Sequence, residues 1–193
     1  MTNIYKRGFD ILFSLLGILL LSPLFLVIYL IVRITEGSPV IYSQERIGLK
    51  GKPFLIYKFR SMVNNTEENG LPMLAETDDC RLTKVGRILR KTHLDELPQL
   101  WNVLKGDMSF VGPRPERKYF IDRIMEHDKR YELLYQVRPG ITSNATIYNG
   151  YTNTMEKMLR RLEMDLDYMN RQSLLSDIGI IAKTVLSIVG VRR

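Results

Sequence analysis

The chain has one cysteine, Cys80, and two histidines, His93 and His127. A single thiol excludes an internal disulfide and suits a reducing compartment. No Cys/His cluster has zinc-ligand spacing, and so few histidines leave little material for a histidine-based triad. Acid–base or nucleophilic work would therefore fall to carboxylates. Internal repeats and low-complexity tracts are also lacking. Acidic residues are the minority charge: 28 Lys+Arg against 21 Asp+Glu give a net charge of +7. A basic balance points to an anionic partner, whether nucleic acid, an anionic membrane surface or a phosphorylated substrate. At 193 residues, 45% apolar and 25% charged, the chain can bury a core of its own.

What is present begins with one long apolar run. Residues 11–32 carry no charge, follow Lys6, Arg7 and Asp10, and end at Arg33. That length meets the requirement for crossing a bilayer. A cleavable signal peptide fits less well, because the run is long and no small-x-small site follows it. Ser22-Pro23 falls at its centre, where proline removes the hydrogen bond to the carbonyl four residues back. Each half then reaches about 15 Å, roughly the bilayer midplane. Basic residues on both flanks favour the same, cytoplasmic side for both. Two arrangements satisfy the sequence: a straight span with a mild kink, and a helix that enters, bends at Ser22-Pro23 and returns. In either, the Ser22 hydroxyl could serve the backbone group that Pro23 frees.

Residues 40–46 and 54–60 have strand composition around a Leu49-Lys50-Gly51-Lys52 turn, which predicts a β-hairpin. Residues 64–79 are polar and predict a surface loop. A short basic helix is expected over 83–90 and another over 95–104, with Pro98 in its first turn. One or two helices follow over 116–135, then a turn at Arg138-Pro139-Gly140-Ile141-Thr142. A methionine and leucine stripe at helical spacing predicts an amphipathic helix over 154–172 facing the core. A last helix is expected over 174–189, packed on the core or laid along a membrane.

The chemistry gathers at Asp95-Glu96-Leu97-Pro98-Gln99 and Gly106-Asp107-Met108-Ser109-Phe110-Val111-Gly112-Pro113-Arg114-Pro115. At a helix N-terminus Asp95 would be kept ionised by the dipole. An ionised aspartate can attack phosphorus if cations neutralise the electrophile. Glu96 suits magnesium, which takes one or two carboxylates plus phosphate oxygens. The same acids are also the usual start signal of a helix, and alone they would be no more than a cap. The basic residues change the balance. Lys58 and Arg60 end an apolar strand, Arg90 precedes the pair, Arg114 lies between prolines and Arg138 opens a rigid turn. Together they supply the donors a diphosphate needs.

These residues, in order, resemble the bacterial sugar transferases of the monotopic phosphoglycosyl transferase superfamily. The resemblance runs from Ser22-Pro23 through Gln44-Glu45-Arg46-Ile47-Gly48, Tyr57-Lys58-Phe59-Arg60-Ser61-Met62 and Gly86-Arg87-Ile88-Leu89-Arg90. It continues over 94–100, 102–115 and 138–142. It implies a small-form enzyme of mixed α/β, mostly helical class. Residues 1–36 would form a re-entrant membrane helix broken at Ser22 and Pro23. Residues 37–193 would form a compact helical catalytic domain with a small β-hairpin and amphipathic surface helices. It further implies transfer of a sugar 1-phosphate from a UDP-sugar to polyprenol (undecaprenyl) phosphate with release of UMP, the first membrane step of a bacterial surface glycan. Asp95 would form the covalent phosphosugar intermediate and Glu96 would bind Mg2+. Lys58, Arg60, Arg90, Arg114 and Arg138 would bind phosphate or substrate. The catalytic domain would sit on the cytoplasmic face of the inner membrane, against membrane lipids.

Two departures stand out. After Arg-Pro-Gly-Ile-Thr the family run Gly-Leu-Ala-Gln-Val-Asn-Gly-Arg is replaced by Ser143-Asn144-Ala145-Thr146-Ile147-Tyr148-Asn149-Gly150-Tyr151. His93 stands where serine or threonine is usual. The altered loop leaves room for an inactive membrane-bound scaffold as the alternative. Nucleic-acid binding rests on charge alone, without a recognition motif or base-stacking aromatics on a basic strand.

Overall fold

The computed structural model describes residues 4–63, 72–74, 79–150, 152–188 and 190. The loop expected over 64–79 therefore lies largely outside the described residues, as does Tyr151. The long apolar run forms one helix, α1 (Ile4–Glu36), with Pro23 inside it. Its mean hydropathy reaches 2.8 over an 18-residue window. Pro23 cannot donate to the Leu19 carbonyl, and the Ser22 Oγ donates to that carbonyl instead at 2.8 Å. The hydroxyl thus replaces the missing backbone donor within the helix.

One stripe of α1 packs on the rest of the protein along its length. Asp10, Ser14, Ile28 and Val32 are buried at helical spacing. Near its start, Lys6 pairs with Asp177, and Arg7 donates to the Val103 and Leu104 carbonyls at 2.6 and 2.9 Å. The buried Asp10 accepts from the Ser109 hydroxyl at 3.0 Å and the Phe110 N–H at 3.2 Å. Near its end, Ile28 and Val32 join Val40, Phe59 and Leu89 in one apolar cluster, and Arg60 donates to the Glu36 carbonyl. Both ends of the apolar helix are therefore held by the same body. The opposite stripe, including Leu12, Leu16, Leu20 and Leu30, is exposed.

The hairpin forms as expected. Strands β1 (Ile41–Ile47) and β2 (Pro53–Phe59) pair antiparallel around a turn at Leu49–Gly51, where Lys50 takes a φ of 59°. Helix α2 (Lys84–Lys91) follows, capped by the Thr83 hydroxyl on the Gly86 N–H. Helix α3 (Gln99–Lys105) then runs under the hairpin and against α1. A short strand β3 (Ser109–Val111) pairs parallel with β4 (Gly140–Thr142), closing a second, minimal sheet. Between them lie α4 (Lys118–His127) and a 3-10 stretch, Lys129–Gln136. The chain ends with α5 (Asn144–Tyr148), α6 (Met155–Asn170) and α7 (Leu174–Ile188).

The methionine stripe of α6 does face the core: Met158 and Leu162 pack with Phe120, Ile121, Ile124 and Tyr131. Helix α7 divides its allegiance. Asp177 and Ile180 are buried, the former paired with Lys6 and with the Tyr168 hydroxyl at 2.7 Å, while Leu175, Val185 and Leu186 are exposed.

Candidate active site

One expectation about the acidic pair is corrected. Asp95 does not start an α-helix. Leu94–Glu96 is a single 3-10 turn, entered through His93 in the left-handed region (φ 56°), and the helix begins only after Pro98. Proline has no N–H to continue the turn hydrogen bonds and its φ is fixed, so Pro98 becomes the N-cap of α3 rather than a first-turn residue. His93 is among the residue types that tolerate positive φ, which gives this position a conformational reason for its side chain. The helix dipole is therefore not what charges Asp95. Burial pushes the Asp95 carboxyl up from its ordinary value, against the pull of Lys58, Arg90 and His93.

Glu96 is set the other way. Burial would also raise it, but Lys58 and Arg114 together outweigh that and hold it at about 2. Lys58 Nζ lies 2.5 Å from Glu96 Oε1, and Arg114 Nη2 lies 3.7 Å from the same oxygen. Two adjacent carboxyls thus have opposed electrostatics, one raised by desolvation and one clamped by cations.

Each cation arrives by a traceable route. Lys58 comes from β2, whose free edge is latched to α3 by Asn102. The Asn102 Oδ1 accepts from the Tyr57 N–H at 3.1 Å, and its Nδ2 donates to the Leu55 carbonyl at 2.7 Å. This fully buried amide mimics a neighbouring strand. Arg90 comes from the last turn of α2. That helix rests on Ser61 through Gly86, where a Cβ would lie 1.9 Å from the Ser61 carbonyl oxygen. Arg90 Nε then donates to the Ser61 hydroxyl at 3.2 Å. Arg114 comes from the loop after β3. A Cβ on Gly140 would lie 2.1 Å from the Gly112 nitrogen, so the two backbones touch only because both are glycine.

The structure brings Lys58, Arg90 and Arg114 around Asp95 and Glu96. The other two expected cations donate to backbone carbonyls. Arg60 is buried and donates to the last carbonyl of α1, that of Glu36. Arg138 Nε donates to the Gly106 carbonyl at 2.8 Å, just past the C-terminal end of α3. That is the opposite end of a helix about 10 Å long from the acidic pair.

Sequence reasoning missed a second charged cluster behind Arg114. Glu116 pairs with Arg46 at 2.5 Å and Arg161 at 3.0 Å, with Glu116 and Arg161 both buried. Burial pushes the Asp165 carboxyl up to about 7, against Arg161, Ser143 and Arg114. Gln99 is likewise buried, with its Nε2 unpartnered three residues beyond Glu96. No sequence signal joins these residues, since Glu116 and Arg161 are 45 positions apart. A surface cavity of about 460 Å³ beside Arg130, Leu133 and Glu163 contains none of the acidic pair or its cations.

Among the described residues no group of three or more His, Cys, Asp or Glu forms a metal cage. The donor set instead offers Glu96, one strongly acidic carboxylate, beside cations that suit a polyphosphate. This fits a magnesium ion completed by substrate oxygens rather than a structural metal.

The family model for bacterial sugar transferases matches residues 1–191. The chain is 41% identical over 184 residues to a UDP-N-acetylgalactosamine-undecaprenyl-phosphate N-acetylgalactosaminephosphotransferase of Aeromonas hydrophila, covering 95% of this chain and 43% of that protein. It is 43% identical over 185 residues to a UDP-glucose:undecaprenyl-phosphate glucose-1-phosphate transferase of Escherichia coli, covering 95% and 40%. It is 39% identical over 188 residues to the uncharacterized sugar transferase EpsL of Bacillus subtilis, covering 96% and 88%. The chain thus spans less than half the length of the first two relatives. A match over nearly every residue places this chain in the bacterial sugar transferase family.

Proposed function

We propose that the protein is a membrane-associated phosphoglycosyl transferase that moves a sugar 1-phosphate from a UDP-sugar to undecaprenyl phosphate through a covalent intermediate on Asp95. The observation that carries this reading is the opposed pair: a buried aspartate with raised proton affinity beside a glutamate held at about 2 by Lys58 and Arg114. A raised pKa makes the Asp95 carboxylate the more basic and more nucleophilic of the two, while Glu96 stays charged for a cation.

In the first half-reaction an Asp95 carboxylate oxygen attacks the β-phosphorus of the UDP-sugar. The bond to the bridging oxygen breaks, and UMP departs with that electron pair. In the second, a phosphate oxygen of the polyprenol phosphate attacks the same phosphorus and Asp95 leaves as carboxylate. Lys58, Arg90 and Arg114 hold the diphosphate oxygens and stabilise the charge that develops on them. Glu96 would hold a magnesium ion, whose contribution is further neutralisation of the diphosphate. Nucleophile and acceptor must meet at the membrane surface. Attachment of both ends of α1 to the catalytic body supports a helix that enters and leaves on one side, here the cytoplasmic face of the inner membrane.

Relatives named for N-acetylgalactosamine and for glucose match about equally well, so similarity does not choose the sugar. The direct test is Asp95→Asn, the isosteric neutral variant. We expect UMP release from a panel of UDP-sugars to fall at least 1,000-fold, on the order seen when a nucleophile is removed, with the unfolding midpoint unchanged. Wild-type turnover retained by this variant overturns the nucleophile. No turnover by the wild type with any UDP-sugar would favour an inactive scaffold.

A further inference from the structure

We propose that Glu116 and Arg161 are positioning residues for Arg114: their buried ion pair fixes the loop of residues 112–116 so that the Arg114 guanidinium is held at the acidic pair. This rests on the phosphoglycosyl transfer reading above. The loop is anchored at both ends and stiff between. Its entry is fixed by the contact of Gly112 with Gly140, which excludes any side chain. Its exit is fixed by Glu116, whose Oε1 takes Arg46 at 2.5 Å and whose Oε2 takes Arg161 at 3.0 Å. The same Oε1 accepts from the Arg117 N–H at 3.0 Å, and the Glu116 carbonyl accepts from the Ile47 N–H at 3.0 Å. Between the anchors only Pro113, Arg114 and Pro115 remain, and two prolines remove most of the backbone freedom.

Arg114 is the hinge between the two charged groups. It pulls on Glu96 on one side and on Glu116 and Asp165 on the other. Its side chain is 39% exposed, whereas those of Glu116 and Arg161 are 7% and 5% exposed. A buried ion pair is a weak source of stability compared with apolar packing of the same volume, so its presence calls for another purpose. Positioning supplies one. Arg161 also donates to the Thr152 hydroxyl at 2.8 Å, which ties the segment following α5 to the same support. Arg161 thereby acts on Arg114 without touching the substrate.

The test is a double-mutant cycle on the full chain in lipid nanodiscs, read as UMP release and as thermal unfolding midpoint. Arg161→Lys keeps the charge and loses the planar fork. It should lower kcat about tenfold in the wild-type background and less than twofold in an Arg114→Gln background, where no arginine is left to position. Thr152→Val, which removes only the hydroxyl contacted by Arg161, is run through the same cycle. It keeps the question answerable if Arg161→Lys fails to fold, and it should show the same background dependence with a smaller effect. Equal fold-losses in both backgrounds, or losses that follow the unfolding midpoint, overturn the proposal. A wild-type chain with no turnover removes the activity reading first, and the positioning role falls with it.

Discussion

Asp95 and Glu96 are neighbours in the chain, yet burial outweighs the nearby cations at one and is overruled by them at the other. Lys58 decides the difference: its ammonium closes on Glu96 Oε1 and reaches Asp95 only as a field. The acidic pair and its cations Lys58, Arg90 and Arg114 could be found in the sequence, because residue type and spacing marked them. Asn102, which sets the depth of Lys58, could not be singled out, since its two backbone partners lie 45 and 47 positions away. Arg60 and Arg138, which the sequence also offers as anion binders, each donate to a carbonyl at a helix end, Glu36 at the end of α1 and Gly106 just past α3. Asp165 gives a prediction at this scale. Its carboxyl titrates near 7 when folded and near its ordinary 3.8 when unfolded. Between these values the native state binds the extra proton, so stability falls as pH rises from about 4 to 7. Asp165→Asn should remove that loss. Thermal unfolding should show the variant equal to wild type near pH 3.5 and more stable above pH 7, by up to about 4 kcal/mol. A constant difference across that range contradicts the assignment.

At the scale of elements, α1 holds a proline without losing its helix because Ser22 occupies the carbonyl that Pro23 leaves free. Ser22→Ala should therefore destabilise the protein in detergent by about 1 kcal/mol, the worth of a typical hydrogen bond. Pro23→Ala restores the backbone donor, so in that background the same serine change should be nearly neutral. Additive losses across the two backgrounds would show that the hydroxyl does not compensate the proline. Most elements were legible from periodicity and turn chemistry: the hairpin, the short basic helix α2, and the core-facing stripe of α6 all form where expected. The start of α3 was not. Asp followed by Glu has the composition of a helix start, but Pro98 ends the 3-10 turn and shifts the cap three residues along from Asp95 to itself. Local composition sees the residues; which N–H groups are absent decides the boundary.

The whole molecule is organised by the contact between an apolar helix and a basic body. Lys6, Arg7 and Asp10 fasten one end of α1, and Val32 and the Glu36 carbonyl fasten the other. Hydropathy alone left a straight span and a returning helix both open, because it measures length and not where the ends attach; only the family resemblance implied the returning helix. Attachment of both ends to one body favours a single side. Cysteines placed at the exposed positions Ile4 and Thr35, in a Cys80→Ser background, should react with an impermeant maleimide in the same membrane-vesicle orientation. Labelling of the two in opposite orientations contradicts a common side. The covalent step on Asp95 is the centre of the proposed chemistry, and the mass of the protein reports it directly. Wild-type protein mixed with UDP-sugar and magnesium, without polyprenol phosphate, should gain the mass of one sugar phosphate, located on Asp95 and lost on adding the acceptor. UMP release that requires the acceptor, with no adduct at any time, would contradict it.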